Sequence, residues 1–129
     1  MKNPIILFAL FGILFSIPAF ADNAQKNFST ISWEQAIDMS KDKKSPAIFV
    51  DVRTQEEVAS GTVAGSINIP LQQIQVRYKE LPKDKKLLIF CRSGKRSQAA
   101  AEYLTSVGYS NAYNVDGGFL AAPPAAAFK

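Results

Sequence analysis

The chain has no histidine and a single cysteine, Cys91, among its 129 residues. Each shortage removes a class of chemistry. One thiol cannot close an intrachain disulfide. A zinc site needs several nitrogen or sulfur ligands that this chain does not have, so no metal is expected. A Ser-His-Asp triad and a Cys-His pair are excluded too. Any nucleophile must therefore be activated without an imidazole. Charge of one sign is also scarce: the formal net charge is only +4, with lysines and arginines scattered along the chain. That balance describes a solvated surface with a mild attraction for small anions, not a nucleic-acid face.

What remains fits a globular protein. Hydrophobic residues make up 47% and charged residues 20% of the chain. That mixture and length suit one domain with a core that needs no disulfide staples. The amino-terminal segment has the features of an export signal. Lys2 precedes an apolar run at residues 5–15, Ser16 and Pro18 interrupt it, and Ala19-Phe20-Ala21 is a small-x-small cleavage site. The run falls short of the ~20 residues of a membrane-spanning helix. Residues 1–21 are thus expected to be a signal peptide. Residues 22–129 would form the mature, periplasmic domain, with no membrane contact after cleavage.

The mature part alternates between helix and strand patterns. Ser32-Trp33-Glu34-Gln35 is a capping box that opens a helix to about Lys41, with Trp33, Ala36 and Ile37 facing inward. Residues 47–50 are an apolar strand stopping at Asp51. Thr54-Gln55-Glu56-Glu57 is a second capping box, for a short helix ending near Gly61. A brief strand follows at 67–69. Leu71, Ile74, Tyr78 and Leu81 then recur at helical spacing, and Pro82 ends that helix. Residues 87–90, Leu-Leu-Ile-Phe, are apolar throughout, as in a strand buried on both faces of a parallel sheet. Ser97 is expected to cap a helix reaching Val107, before Gly108. A last strand spans 112–115, and Gly117-Gly118 turns into a short final helix. The Ala- and Pro-rich end from Ala121 reads as frayed. The order implies an α/β fold with a mainly parallel central sheet flanked by helices on both faces.

Cys91 is the first residue past the strongest strand, where open α/β sheets bind ligands. Its loop, Cys91-Arg92-Ser93-Gly94-Lys95-Arg96, leads straight into a helix. Such a loop can curl its backbone N–H groups around one point, helped by the freedom of Gly94. The N–H nest, the helix start and the cations Arg92, Lys95 and Arg96 all favour a thiolate. Free cysteine titrates at ~8.5, and such surroundings lower it to about 3.5–7.5. Cys91 is then a nucleophile with no base beside it. Arg92 and Lys95 are either anion-binding groups or plain loop surface. Arg96 could instead pair with Asp51, for which a structural role is expected.

These residues resemble the rhodanese domain. Asp51-Val52-Arg53, Glu57, Gly61 and Gly65-Ser66-Ile67-Asn68-Ile69-Pro70 are similar to its first signature. Cys91-Arg92-Ser93-Gly94-Lys95-Arg96-Ser97 resembles its active-site loop. Gly108-Tyr109, Asn114-Val115 and Asp116-Gly117-Gly118 resemble its closing segment. The likeness spans about residues 30–120 and is strongest to small single-domain periplasmic thiosulfate sulfurtransferases. Thr62, Val58 and Ala122 depart from it, standing where the family often has a histidine, an aromatic and a tryptophan.

The resemblance implies a transferase that needs no cofactor. Cys91 would take the outer sulfur of thiosulfate as a persulfide and pass it to cyanide or a biological thiol. Arg92, Ser93, Gly94, Lys95 and Arg96 would bind the donor and stabilise the persulfide, and Asp51 and Arg53 would support the loop structurally. In the family a cationic loop goes with thiosulfate and a neutral one with mercaptopyruvate. The protein is expected to act as a monomer on small molecules. Two alternatives stand beside this reading. One is a persulfide carrier or thiol-binding module without fast turnover. The other is a Cys-x5-Arg phosphatase, although Cys91 and Arg96 enclose only four residues.

Overall fold

The computed structural model describes residues 28–129. The expected signal peptide lies outside the described residues. Five strands form one sheet: β1 (Ser29–Ile31), β2 (Ile48–Asp51), β3 (Ile67–Asn68), β4 (Leu87–Phe90) and β5 (Ala112–Val115). Their order is β1-β5-β4-β2-β3, and every neighbouring pair is parallel. All carboxyl ends therefore lie along one edge, the edge that carries Cys91.

Between the strands run α1 (Trp33–Ser40), α2 (Gln55–Ala59), α3 (Ile74–Arg77) and α4 (Lys95–Ser106). Both capping boxes form: Ser32 and Gln35 satisfy each other's amides, as do Thr54 and Glu57. β4 is buried along its whole length because it is central and covered on both faces. Its alternating side chains feed two cores. Leu87 and Ile89 pack with Ile74, Leu81, Ala100, Ala101 and Leu104 on one face. Leu88 and Phe90 pack with Trp33, Ala36, Ile37 and Val115 on the other. Helices thus cover both faces, and each core has one sheet face as its floor.

Several local expectations need correcting. Strand β1 carries no clear sequence signal. It exists because Ser29–Ile31 pairs with Tyr113, Asn114 and Val115 of β5. The helix expected after Pro70 is three short pieces, with 3₁₀ turns at Leu71–Gln73 and Tyr78–Glu80 on either side of α3. Ile74 and Leu81 still point inward, so the apolar spacing was real while the hydrogen bonding was not uniformly α. Helix α4 is capped by Gly94, at φ +112°, and not by Ser97. Ser97 lies inside the first turn and is fully buried.

The carboxyl-terminal end is not frayed. Ala126 is buried in the second core. Phe128 bridges Val63 in antiparallel fashion, and its ring meets Phe119 edge-on at 5.6 Å. Lys129 N–H donates to the Thr62 carbonyl at 2.9 Å and Ala64 N–H to that of Ala127 at 2.8 Å.

Candidate active site

Cys91 follows β4 directly and is 1% exposed. Gly94 N–H donates to its Sγ at 3.0 Å, and the Ser97 hydroxyl lies 3.4 Å from the same sulfur. Burial pushes the Cys91 thiol up. The contact with the Ser97 side chain and the nearby backbone amides of Ser97, Gly94 and Ser93 outweigh it, so the net displacement is downward. The positive φ at Gly94 turns its N–H toward the sulfur at the helix start.

A second turn backs this loop. Phe119 N–H donates to the Cys91 carbonyl at 2.7 Å and Leu120 N–H to the Arg92 carbonyl at 3.2 Å. Gly118 sits so close that a Cβ there would lie 2.5 Å from the Arg92 carbonyl carbon and oxygen. Only glycine allows this approach. The Trp33 indole N–H donates to the Gly118 carbonyl at 2.9 Å, which ties the turn to α1. The sulfur is therefore set by two glycine turns braced from the second core.

The expected site residues do not all gather at one point. Ser93, Gly94 and Ser97 contribute to the environment of Sγ. Arg92 and Lys95 are exposed on the loop. Arg96 does not pair with Asp51. It holds Glu57 bidentately, at 2.7 and 3.0 Å. The Arg96 guanidinium keeps the Glu57 carboxyl at about 2, against a smaller opposing effect of burial.

Asp51 pairs with Arg53, whose Nη2 is 2.7 Å from Oδ2. The Thr62 hydroxyl donates to the same oxygen at 2.7 Å, so this departure from the family pattern still supplies a polar partner. The Arg53 guanidinium carbon lies 4.2 Å from the Phe119 ring centroid, and its Nη2 donates to the Gly61 carbonyl at 2.7 Å. Arg53 thus packs on the residue that follows Gly118, and none of the pair's hydrogen bonds reaches Sγ.

Ser97, the last residue of the active-site-like motif, meets the sulfur and does not cap the helix. Asn114 was noted only within a family-like segment, yet it accepts from the Ser97 hydroxyl at 2.6 Å. A buried polar side chain inside an otherwise apolar strand was the available signal for Asn114.

The rhodanese-like domain family matches residues 32–122. A sulfurtransferase of Allochromatium vinosum is 40% identical over 74 residues, covering 57% of this chain and 69% of that protein. The thiosulfate sulfurtransferase GlpE of Pseudomonas putida is 35% identical over 92 residues, covering 71% of this chain and 82% of its own. The crystal structure of a rhodanese-like domain protein from Staphylococcus aureus superposes with a TM-score of 0.68 at 31% identity, over 74% of this chain and 92% of that one. By sequence, by fold and by the motif around its one thiol, the chain belongs to the rhodanese-like domain family of sulfurtransferases.

Proposed function

We propose that the protein is a thiosulfate sulfurtransferase that works through a persulfide on Cys91. The observation that carries this reading is the cradle of donors around Sγ, above all Gly94 N–H at 3.0 Å. In the absence of any histidine, that cradle is what ionises the thiol. The thiolate attacks the outer sulfur of thiosulfate. The donor's S–S bond breaks and its electron pair leaves with sulfite. An acceptor, cyanide or a thiolate, then attacks the outer sulfur of the persulfide. The S–S pair returns to Sγ, and the acceptor departs with the sulfur as thiocyanate or a new persulfide. This is covalent, two-step catalysis.

Arg92 and Lys95 attract the dianionic donor from the loop surface, and the Ser93 and Gly94 amides steady the persulfide. The enclosure of Cys91 favours a small donor. Arg96 is already committed to Glu57, and the loop is one residue shorter than a phosphatase loop, so both features speak against phosphoryl chemistry. We infer a periplasmic location from the leader-like sequence alone.

The test is the intermediate itself. Protein treated with thiosulfate alone, then freed of excess, should gain one sulfur atom by intact mass and lose it to cyanide. Cys91→Ser should gain none, because a serine hydroxyl with no base is not ionised near neutral pH. An unmodified wild type, folded and with its thiol reduced, rejects the reading. Loading followed by only stoichiometric thiocyanate release would identify a carrier instead.

A further inference from the structure

The Ser97 hydroxyl has one proton and three acceptors around it. Asn114 Oδ1 is at 2.6 Å, the Gly94 carbonyl at 3.2 Å and Cys91 Sγ at 3.4 Å. The shortest contact holds the proton on the Asn114 side, away from the sulfur. Ser97 Oγ is then free to accept from the Cys91 S–H. Beyond it, Asn114 Nδ2 reaches the Thr30 hydroxyl on β1 at 3.4 Å. Ser97 and Asn114 are 0% and 4% exposed, so water does not readily fill a gap in this chain.

The chain has a second fully paired arrangement. An amide turned end for end occupies the same space. Thr30 can then donate to Oδ1, Nδ2 can donate to Ser97 Oγ, and the Ser97 proton turns to Sγ. Every polar group keeps a partner in both arrangements, which matters because a buried orphan is costly. The first arrangement suits a thiol, which donates. The second suits a thiolate, which only accepts.

We propose that Ser97 and Asn114 form a reversible hydrogen-bond relay that follows the charge on Cys91 Sγ. Ser97 touches the reacting sulfur, and Asn114 is a positioning residue that acts through it. The inference rests on the sulfur-transfer reading above. Its largest effect falls on the second half-reaction. There the persulfide S–S bond breaks and its electron pair lands on Sγ, which needs donors as it becomes an anion. Gly94 N–H is one fixed donor, and the turned Ser97 hydroxyl is the second. No proton is transferred, because the hydroxyl only reorients.

The experiment is the pH profile of Cys91 alkylation by iodoacetamide, which reports this thiol alone because the chain has no other. It uses no thiosulfate, so its result is separate from the test of the function. Ser97→Ala should shift the profile to higher pH and slow alkylation at neutral pH about tenfold, as expected for loss of a hydrogen bond to a charged group. Cyanide discharge of the loaded persulfide should slow by a similar factor. Ser97→Thr, which keeps the hydroxyl, should restore both.

Asn114→Asp keeps the shape but offers only acceptors, so it should hold the Ser97 proton and slow alkylation as well. Most of that effect should vanish in the Ser97→Ala background. An equal effect of Asn114→Asp in both backgrounds would mean that the carboxylate acts through its field, and the relay is wrong. An unchanged profile in Ser97→Ala would also overturn it. The Ser97 pair tests the first link without touching Asn114, so a failure of Asn114→Asp to fold does not shelter the proposal.

Discussion

Glu57 ties α2 to the first turn of α4 through Arg96. Arg96 lies 39 positions away in sequence, so nothing local in either segment predicts the pair. Their side chains are 33% and 29% exposed, which keeps the interaction modest. The folded carboxyl titrates at about 2, below the ordinary 4.5. A depressed carboxyl stabilises the fold above its unfolded pKa and loses that contribution as pH falls through the folded value. The window therefore runs from about pH 4.5 down to about pH 2. Glu57→Gln should cost about 1 kcal/mol at pH 7, seen as a lower melting temperature. The gap to wild type should close as the pH approaches 2. A gap that stayed constant with pH would assign the loss to packing and not to charge.

At the scale of elements, most of what sequence and structure share has a local signal, although Ser97 as a cap and one continuous helix over 71–81 are local readings that the structure overturns. Both capping boxes, the apolar strand before Cys91 and the glycine after α4 lie within a few residues of what they specify, and the structure realises them. Elements made by distant partners were not legible. Strand β1 is three residues long and exists through pairing with β5. The sulfur's neighbourhood divides the same way. The Gly94 contact spans three positions, whereas Ser97 reaches Asn114 across 17.

The tail is the plainest case, because an Ala- and Pro-rich composition carries no periodicity to read. Its 3₁₀ turn Pro124–Ala126 buries Ala126, and the backbone beyond it pairs with residues 62–64. Deleting residues 124–129 should cost about 2–3 kcal/mol, from lost backbone hydrogen bonds and a reopened core. For a domain of this size that is a drop of roughly 10 °C in melting temperature. Thr62 would lose the backbone segment beside it, and with it part of the support of Asp51. A truncated protein that melts like wild type would show the tail to be loosely attached.

The charge of the whole molecule is unevenly placed with respect to the sheet. Lys41, Lys43 and Lys44 precede β2, and Lys83, Lys85 and Lys86 precede β4. Parallel strands put both loops at the amino ends, with Ile48 N–H donating to the Lys86 carbonyl at 2.9 Å. Cys91 is at the opposite edge. A four-residue strand spans roughly 13 Å, beyond the Debye length of about 8–10 Å in physiological salt. The lysine loops are thus screened from the sulfur, although with Asp42 and Asp84 they contribute six positive and two negative charges.

Arg92 and Lys95 lie within four residues of Cys91, at its own edge of the sheet. Neutralising both as Arg92→Gln with Lys95→Gln should raise the KM for thiosulfate about five- to twentyfold. It should also flatten the rise of KM with ionic strength, because the dianion then meets no net charge near the thiol. Neutralising Lys43, Lys44, Lys85 and Lys86 together changes the net charge by twice as much but should leave KM nearly unchanged at physiological salt. The decisive measurement is KM across a salt series for both variants. Equal responses would mean that the donor senses only the total charge, and the loop cations would then have no special part in drawing it in.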